Sequence, residues 1–263
     1  MKTYGLIGYP LSHSFSQKYF TAKFSALNLE EVSYEVYPLA SLINFTQFIN
    51  DHPHLCGLNV TIPHKIDVLK YLDWQSDGAQ AIGAVNCLRI TNHNPIAAAF
   101  LGEEGIEVHN LRIEGFNTDA YGFETSLKPL LKPHHNRALI LGDGGAAKAV
   151  KHVLTKLDIP YRSVTRKPAP GNILFSELTA EDIETNKLII NTTPVGTSPN
   201  DNECPPIPYQ HIGAQHLLYD LIYNPESTLF MQKGLQNGAT VKNGYEMLVL
   251  QAEKSWEIWN TKA

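Results

Sequence analysis

Apolar residues in this chain come in short blocks that end in glycine or in a polar turn. Such blocks run from Thr3 to Gly8, Val32 to Tyr37, Gly57 to Ile62, Ala138 to Leu141, Tyr161 to Val164, Lys187 to Asn191, Leu217 to Tyr223 and Ala239 to Val241. Their length and bounding turn residues predict strands. Between them the spacing turns helical: up to about Leu27, then Leu42 to Ile49, Ile66 to Leu72, Tyr121 to Leu131, the small-residue run after Gly144, Glu226 to Gln236, and a closing helix opened by Asn243-Gly244. Strands alternating with helices over 263 residues predict an α/β protein of one large or two modest domains. One segment breaks the rhythm. Leu88 to Ile113 holds a polar turn (Thr91 to Pro95) and an apolar run (Ile96 to Leu101), and reads as an extended hairpin or added strands.

The stretch that organises the chain is Ala138 to Val150. Four apolar residues are followed by Gly142-Asp143-Gly144-Gly145-Ala146-Ala147 and then by residues of good helix propensity. The spacing Gly142-x-Gly144-x-x-Ala147 matches the dinucleotide fingerprint. Gly142 permits a tight turn, Gly144 lets backbone approach a pyrophosphate, and Ala147 lets the helix pack on the strand. The first helical N–H groups then face the phosphates. A ligand-free βα turn has the same spacing, but the strand before and the helix after favour a nucleotide site. An NAD site would place a carboxylate about 20 residues further on. Here the next strand ends in Thr165-Arg166-Lys167. Two cations suit a 2′-phosphate and favour NADP. Pro168-Ala169-Pro170-Gly171 leaves no room for a full crossover helix before Ile173, so this half of the sheet is expected to be abbreviated.

Composition narrows the classes. The formal net charge is −5 and the basic residues are scattered, which argues against a general nucleic-acid or membrane-surface binder. Cys56, Cys87 and Cys204 form no C-x-x-C pair, which fits a reducing cytosol and gives no support to zinc or disulfides. His134-His135 reads as a solvated loop. No apolar run approaches the ~20 residues of a membrane span, and the first is too short for a signal-peptide core. The expectation is a soluble, cytoplasmic protein without a metal.

Polar residues at strand ends carry the remaining candidate chemistry. Ser12, Ser14 and Ser16 follow the first strand; one could cap the next helix, and a pair could hold a hydroxylated ligand. Asn59 and Thr61 face one side of a strand and need either internal partners or a ligand. Lys65 stands at a helix start, where the dipole disfavours a cation; it is either solvated or functional. Asn86 is isolated among small and apolar residues. Asn117-Thr118-Asp119 offers an amide, a hydroxyl and a carboxylate, or simply a helix cap. Asp220 and Tyr223 close a later strand, and Gln251 sits among apolar helical neighbours, asking for a polar partner.

Taken in order, Ser14-x-Ser16, Asn59-Val60-Thr61-x-Pro63-x-Lys65, Gly83-Ala84-Val85-Asn86, Asn117-Thr118-Asp119, the glycine turn, Asn191-Thr192-Thr193-Pro194-x-Gly196 and Asn243-Gly244-x-x-Met247-Leu248-x-x-Gln251-Ala252 resemble the shikimate dehydrogenase family over nearly the whole chain. The resemblance implies two α/β domains with a cleft between them: residues 1–118 plus 244–263 bind substrate, and residues 119–243 form a Rossmann-like NADP domain. It implies reversible NADPH-dependent reduction of 3-dehydroshikimate to shikimate. Lys65 and Asp119 would be the catalytic pair. Ser14, Ser16, Asn59, Thr61, Asn86, Tyr223 and Gln251 would bind substrate. Gly142, Asp143, Gly144, Gly145, Ala146, Thr165, Arg166, Lys167 and Thr192 would bind NADP(H), with Asp77 near the cofactor's end of the cleft and Leu221 and Gly244 beside the nicotinamide. No metal is implied, because the nicotinamide carries the chemistry. A small-molecule enzyme, monomeric or homodimeric, with no nucleic-acid or membrane partner follows. The alternatives are a quinate/shikimate dehydrogenase with relaxed cofactor use and a non-catalytic relative. Two departures stand out: the long 88–113 segment, and Thr165-Arg166-Lys167 where the family often has Asn-Arg-Thr, followed by a short loop without a further arginine.

Overall fold

The structure, a computed structural model, describes residues 1–11, 14–92 and 111–261. The chain divides into two compact units, residues 1–118 with 254–263 and residues 119–253.

In the first unit six strands form one sheet. They are β1 (Lys2–Gly8), β2 (Val32–Pro38), β3 (Leu55–Val60), β4 (Trp74–Gln75), β5 (Cys87–Asn92) and β6 (Leu111–Phe116), in the order β2-β1-β3-β5-β6-β4. β1 runs parallel to β2 and β3, whereas β5 is antiparallel to both β3 and β6. The hairpin expected around residues 88–113 is present as the β5–β6 ladder, from Cys87 opposite Phe116 to Asn92 opposite Leu111. Residues 93–110, which carry the apolar run of that reading, lie outside the described residues. The helices are α1 (Phe15–Ala26), α2 (Phe45–Asn50) and α3 (Asp77–Ile82). A core of Ile7, Phe45, Leu58, Val68, Val85 and Leu88 fills one side of the sheet. On the other side, Trp259 stacks on Tyr4 with ring centroids 4.8 Å apart and donates its indole N–H to the Leu88 carbonyl at 2.8 Å. Gly57 makes room for it: a Cβ there would lie 2.3 Å from the indole nitrogen.

Several helices differ from the reading of the sequence: those at Phe45–Asn50 and Leu229–Gln236 start three residues later than expected, those at Asp77–Ile82 and Ala180–Thr185 form where no helix was expected, and two others change in type or bounds. The pattern from Ile66 to Leu72 forms a five-residue 3-10 turn, Asp67–Tyr71, rather than an α-helix. The Lys65 carbonyl explains this, because it accepts the Val85 N–H at 2.8 Å and so leaves the helical ladder. The helix expected from Tyr121 to Leu131 is α4 (Thr118–Leu127), starting three residues earlier. It tightens into a 3-10 turn at Lys128–Leu130, where Pro129 has no N–H to continue the ladder.

The second unit carries β7 (Ala138–Leu141), α5 (Gly145–Lys156), β8 (Tyr161–Thr165), β9 (Ile173–Leu174), α6 (Ala180–Thr185), β10 (Leu188–Asn191), β11 (Leu217–Asp220), α7 (Leu229–Gln236) and β12 (Thr240–Lys242). All six strands are parallel, in the order β12-β11-β10-β7-β8-β9. Numbered within the unit, this is 3-2-1-4-5-6 from the β9 edge, the doubly wound dinucleotide-binding order. No α-helix separates β8 from β9, as the proline-rich link requires. Buried Leu139, Leu141, Ile189 and Leu218 form the centre of its core. The final helix, α8 (Tyr245–Asn260), contributes to both units, which divide after Glu253. No helix among the described residues is long and apolar enough to cross a membrane.

Candidate functional site

In doubly wound sheets ligands bind beyond the strand C-termini, where the strand order reverses. In the second unit that point lies between β7 and β10, and a cavity of about 550 Å³ opens there. One wall is the turn after β7, Gly142 to Gly144; a second is Thr165, Arg166 and Lys167 at the end of β8; a third is Thr192 and Thr193 after β10. Gly142 has φ +106°, and a Cβ there would lie 2.8 Å from the Thr192 hydroxyl oxygen, so glycine is required for both conformation and space. Gly144 differs: it caps α5 in extended backbone, and a Cβ there meets nothing within 4 Å. The fold itself would accept a side chain at 144. What that side chain would enter is the cavity, at the N-terminus of α5, where Gly145 and Ala146 open the helix. Fully buried Ala147 seats α5 on the sheet. The arrangement fits a dinucleotide: the opening N–H groups of a helix for a pyrophosphate and two cations for a further phosphate.

A buried carboxyl group braces, through Asn191, the loop after β10 that lines this cavity. Asp220, 0 % exposed, accepts hydrogen bonds from the Asn191 amide at 3.0 Å, the Thr228 hydroxyl at 2.6 Å and the Ile222 N–H at 3.1 Å. Burial outweighs those bonds and raises its pKa to about 6. Asn191 in turn accepts from the Thr193 N–H at 3.0 Å and from its hydroxyl at 2.7 Å, which shapes the loop lining the cavity. Gly244 presses against Leu221, where a Cβ would lie 2.1 Å from the Leu221 carbonyl oxygen. Tyr223 is exposed, and Gln251 is buried, donating to the Leu248 carbonyl at 2.9 Å.

Three polar candidates of the first unit, Ser16, Asn59 and Asn86, are joined through Tyr34, Ser255 and Thr118 into one chain of hydrogen bonds, and Ser14 stands apart from it. Ser14 accepts the Gln17 N–H at 3.1 Å as the cap of α1. The Ser16 side chain is hydrogen-bonded to the buried Tyr34 phenol, whose pKa burial holds well above its ordinary value. Tyr34 donates to the Asn59 amide oxygen at 2.8 Å, and the Asn59 amide nitrogen donates to the Ser255 hydroxyl at 3.0 Å. Ser255 lies 3.2 Å from the Thr118 hydroxyl. Asn86 takes the Thr118 N–H on its amide oxygen at 2.7 Å and donates to the Thr118 hydroxyl at 3.0 Å. Asn59 and Asn86, 4 % and 3 % exposed, thus use most of their hydrogen-bonding capacity inside the unit. Thr61 and Lys65 are half-buried beyond the end of β3. Thr118 is the last residue of this unit and Asp119 the first of the next, both in the opening turn of α4. Asp77 is exposed at the start of α3, behind the cap Ser76.

Reading of the sequence missed Tyr34, Ser255 and the supporting role of Asp220. A signal existed for one of them: Ser255 stands four residues after Gln251, on the same face of an otherwise largely apolar stretch of helix.

Residues 6–88 match the model of the shikimate dehydrogenase substrate binding domain. The chain is 36% identical over 272 residues to the shikimate dehydrogenase (NADP(+)) of Clostridium beijerinckii, covering 98% of this chain and 92% of that protein. It is 34% identical over 277 residues to the protein of the same name from Methanococcus maripaludis, with 98% and 91% covered. Among solved structures, shikimate 5-dehydrogenase from Thermus thermophilus in complex with NADP(H) and shikimate aligns with TM-score 0.80 and 28% identity, over 99% of this chain and 94% of that one.

Proposed function

The chain belongs to the shikimate dehydrogenase family, and on that footing we propose that it catalyses the reversible NADPH-dependent reduction of 3-dehydroshikimate to shikimate in aromatic amino-acid biosynthesis. It is an NADP-dependent oxidoreductase. The observation that carries this reading is the cavity at the switch point, with its glycine turn on one side and Arg166 and Lys167 on the other. The glycine turn and the α5 N-terminus would hold the pyrophosphate, and the two cations the 2′-phosphate. NADPH, when bound, supplies the hydride.

The residue roles follow from charge. Reduction of a ketone builds negative charge on its oxygen, and a cation or proton donor beside that oxygen lowers the barrier. Lys65 fills this role, and Asp119 orients the ammonium or shares its proton. Ser14, Ser16, Thr61, Tyr223 and Gln251 bind the carboxylate and hydroxyls of the substrate. Asn59 and Asn86 belong to the same site, and their buried hydrogen bonds support a further role in holding its walls. Asp77, Leu221 and Gly244 serve the nicotinamide end. The enzyme works in the cytoplasm as a monomer or homodimer.

Lys65→Ala tests the assignment. The variant should lose about 10³-fold or more in kcat, while its dissociation constant for shikimate, measured by calorimetry, changes by less than about tenfold. Near-normal turnover by the Lys65→Ala variant would overturn the role given to Lys65.

A further inference from the structure

A cavity suited to anions carries a carboxylate on its own wall. Asp143, the middle residue of the glycine turn, lines the cavity together with Arg166 and Lys167. Its side chain is 40% exposed and ion-paired through one oxygen to Lys151 of α5. The other oxygen accepts from the Asn172 amide at 3.3 Å. Asn172 closes the loop that begins with Arg166 and Lys167, so the carboxylate is tied to the loop that bears the two cations. Asp143 therefore does two things at once. It ties the cation-bearing loop to the glycine turn, and it places negative charge in the same cavity as the two cations that would hold a 2′-phosphate. Lys151 mutes that charge without removing it from the wall.

On the NADP reading above, we infer that Asp143 is a specificity-determining residue that sets how strongly this site prefers 2′-phosphorylated adenosine over its unphosphorylated counterpart. Arg166 and Lys167 create the preference, and Asp143 opposes it to a degree set by Lys151. The two members of one ion pair must then act in opposite directions. Removing the carboxylate strengthens binding of the 2′-phosphate, whereas removing the ammonium weakens it.

Calorimetric titration with 2′,5′-ADP and with 5′-AMP separates this from a structural role, using the full chain without substrate. Asp143→Asn keeps an oxygen for Asn172 while losing the charge. It should bind 2′,5′-ADP about 3- to 10-fold more tightly than the unsubstituted chain, with 5′-AMP changed less than about 2-fold. Lys151→Met should bind 2′,5′-ADP about 3- to 10-fold more weakly, again sparing 5′-AMP. Arg166→Ala should abolish most of the difference between the two nucleotides. Thermal unfolding of each variant shows whether the protein is folded. Shifts of the same sign in both pair variants, or equal shifts for both nucleotides, would overturn the inference while leaving NADP use intact. An unsubstituted chain that binds 2′,5′-ADP no better than 5′-AMP would instead refute the NADP reading itself.

Discussion

Ser255→Ala probes whether the buried hydrogen-bond chain of the first unit matters to catalysis. Ser255 is 0 % exposed and accepts from the Asn59 amide at 3.0 Å. Without the hydroxyl, that amide nitrogen keeps, among the described residues, a long contact of 3.5 Å to the Asn86 carbonyl. A buried donor stranded in this way costs about 1–3 kcal/mol. Alanine returns about 0.5 kcal/mol through its better helix propensity, so the net loss is about 0.5–2.5 kcal/mol and lowers the unfolding temperature by roughly 1–10 °C. The functional consequence comes through position. Asn59 precedes Thr61 and Lys65 in β3 and the turn beyond it, and Ser255 also touches Thr118, the neighbour of Asp119. Displacement of reacting groups by a fraction of an ångström to 1 Å costs about 10- to 100-fold in rate. Stopped-flow measurement of shikimate oxidation should show kcat/KM reduced in that range, while 2′,5′-ADP affinity, a property of the second unit, stays within about 2-fold. Unchanged kcat/KM together with an unchanged unfolding temperature would show that the Ser255 hydroxyl supports neither the fold nor the reacting groups. Parallel loss of nucleotide affinity would show a general defect instead.

Two further perturbations address the second unit. The carboxyl of Asp220 has its pKa raised by burial from 3.8 to about 6, so the folded form binds a proton that the unfolded chain has already lost. Its contribution to stability is full below pH 3.8 and disappears as the pH rises through 6, a swing of about 3 kcal/mol. Asp220→Asn should remove that swing, seen as a difference between the unfolding-temperature profiles of the two proteins from about pH 4 to 7.5; parallel profiles would contradict it. Gly244→Ala drives a Cβ to 2.1 Å from the Leu221 carbonyl oxygen, which only a backbone shift can relieve. It should destabilise the protein by about 1–3 kcal/mol and cut turnover, and calorimetric unfolding matching that of the unsubstituted chain would count against it.

Much of the architecture is legible in the residue pattern because its causes are local. Short apolar runs closed by glycine or by polar residues become strands of both sheets, and Pro168 to Gly171 does exclude a helix between β8 and β9. The nucleotide cavity is legible for the same reason: Gly142, Gly144, Arg166 and Lys167 lie at the ends of adjacent strands whose order the fingerprint implies. What escaped the sequence is held by partners distant along the chain. The Lys65 carbonyl leaves its helix for the N–H of Val85. Asn59 finds the partner it requires 196 residues away, in Ser255. Asp220 looks like an ordinary strand-end carboxylate until Asn191 and Thr228 are seen to surround it. Polar residues in apolar runs announce that a partner exists; only tertiary structure says which.

Shikimate dehydrogenase activity is tested most directly by the rate at which reduced nicotinamide forms when the purified protein is given shikimate, with NADP and NAD side by side and quinate as a second substrate. Rapid turnover of shikimate with NADP and a much lower kcat/KM with NAD are expected, since Arg166 and Lys167 have no 2′-phosphate to hold in NAD. Comparable turnover with NAD or of quinate would place the protein on a relaxed quinate/shikimate branch. No turnover with any pair would contradict the catalytic reading and leave a fold that binds without reacting.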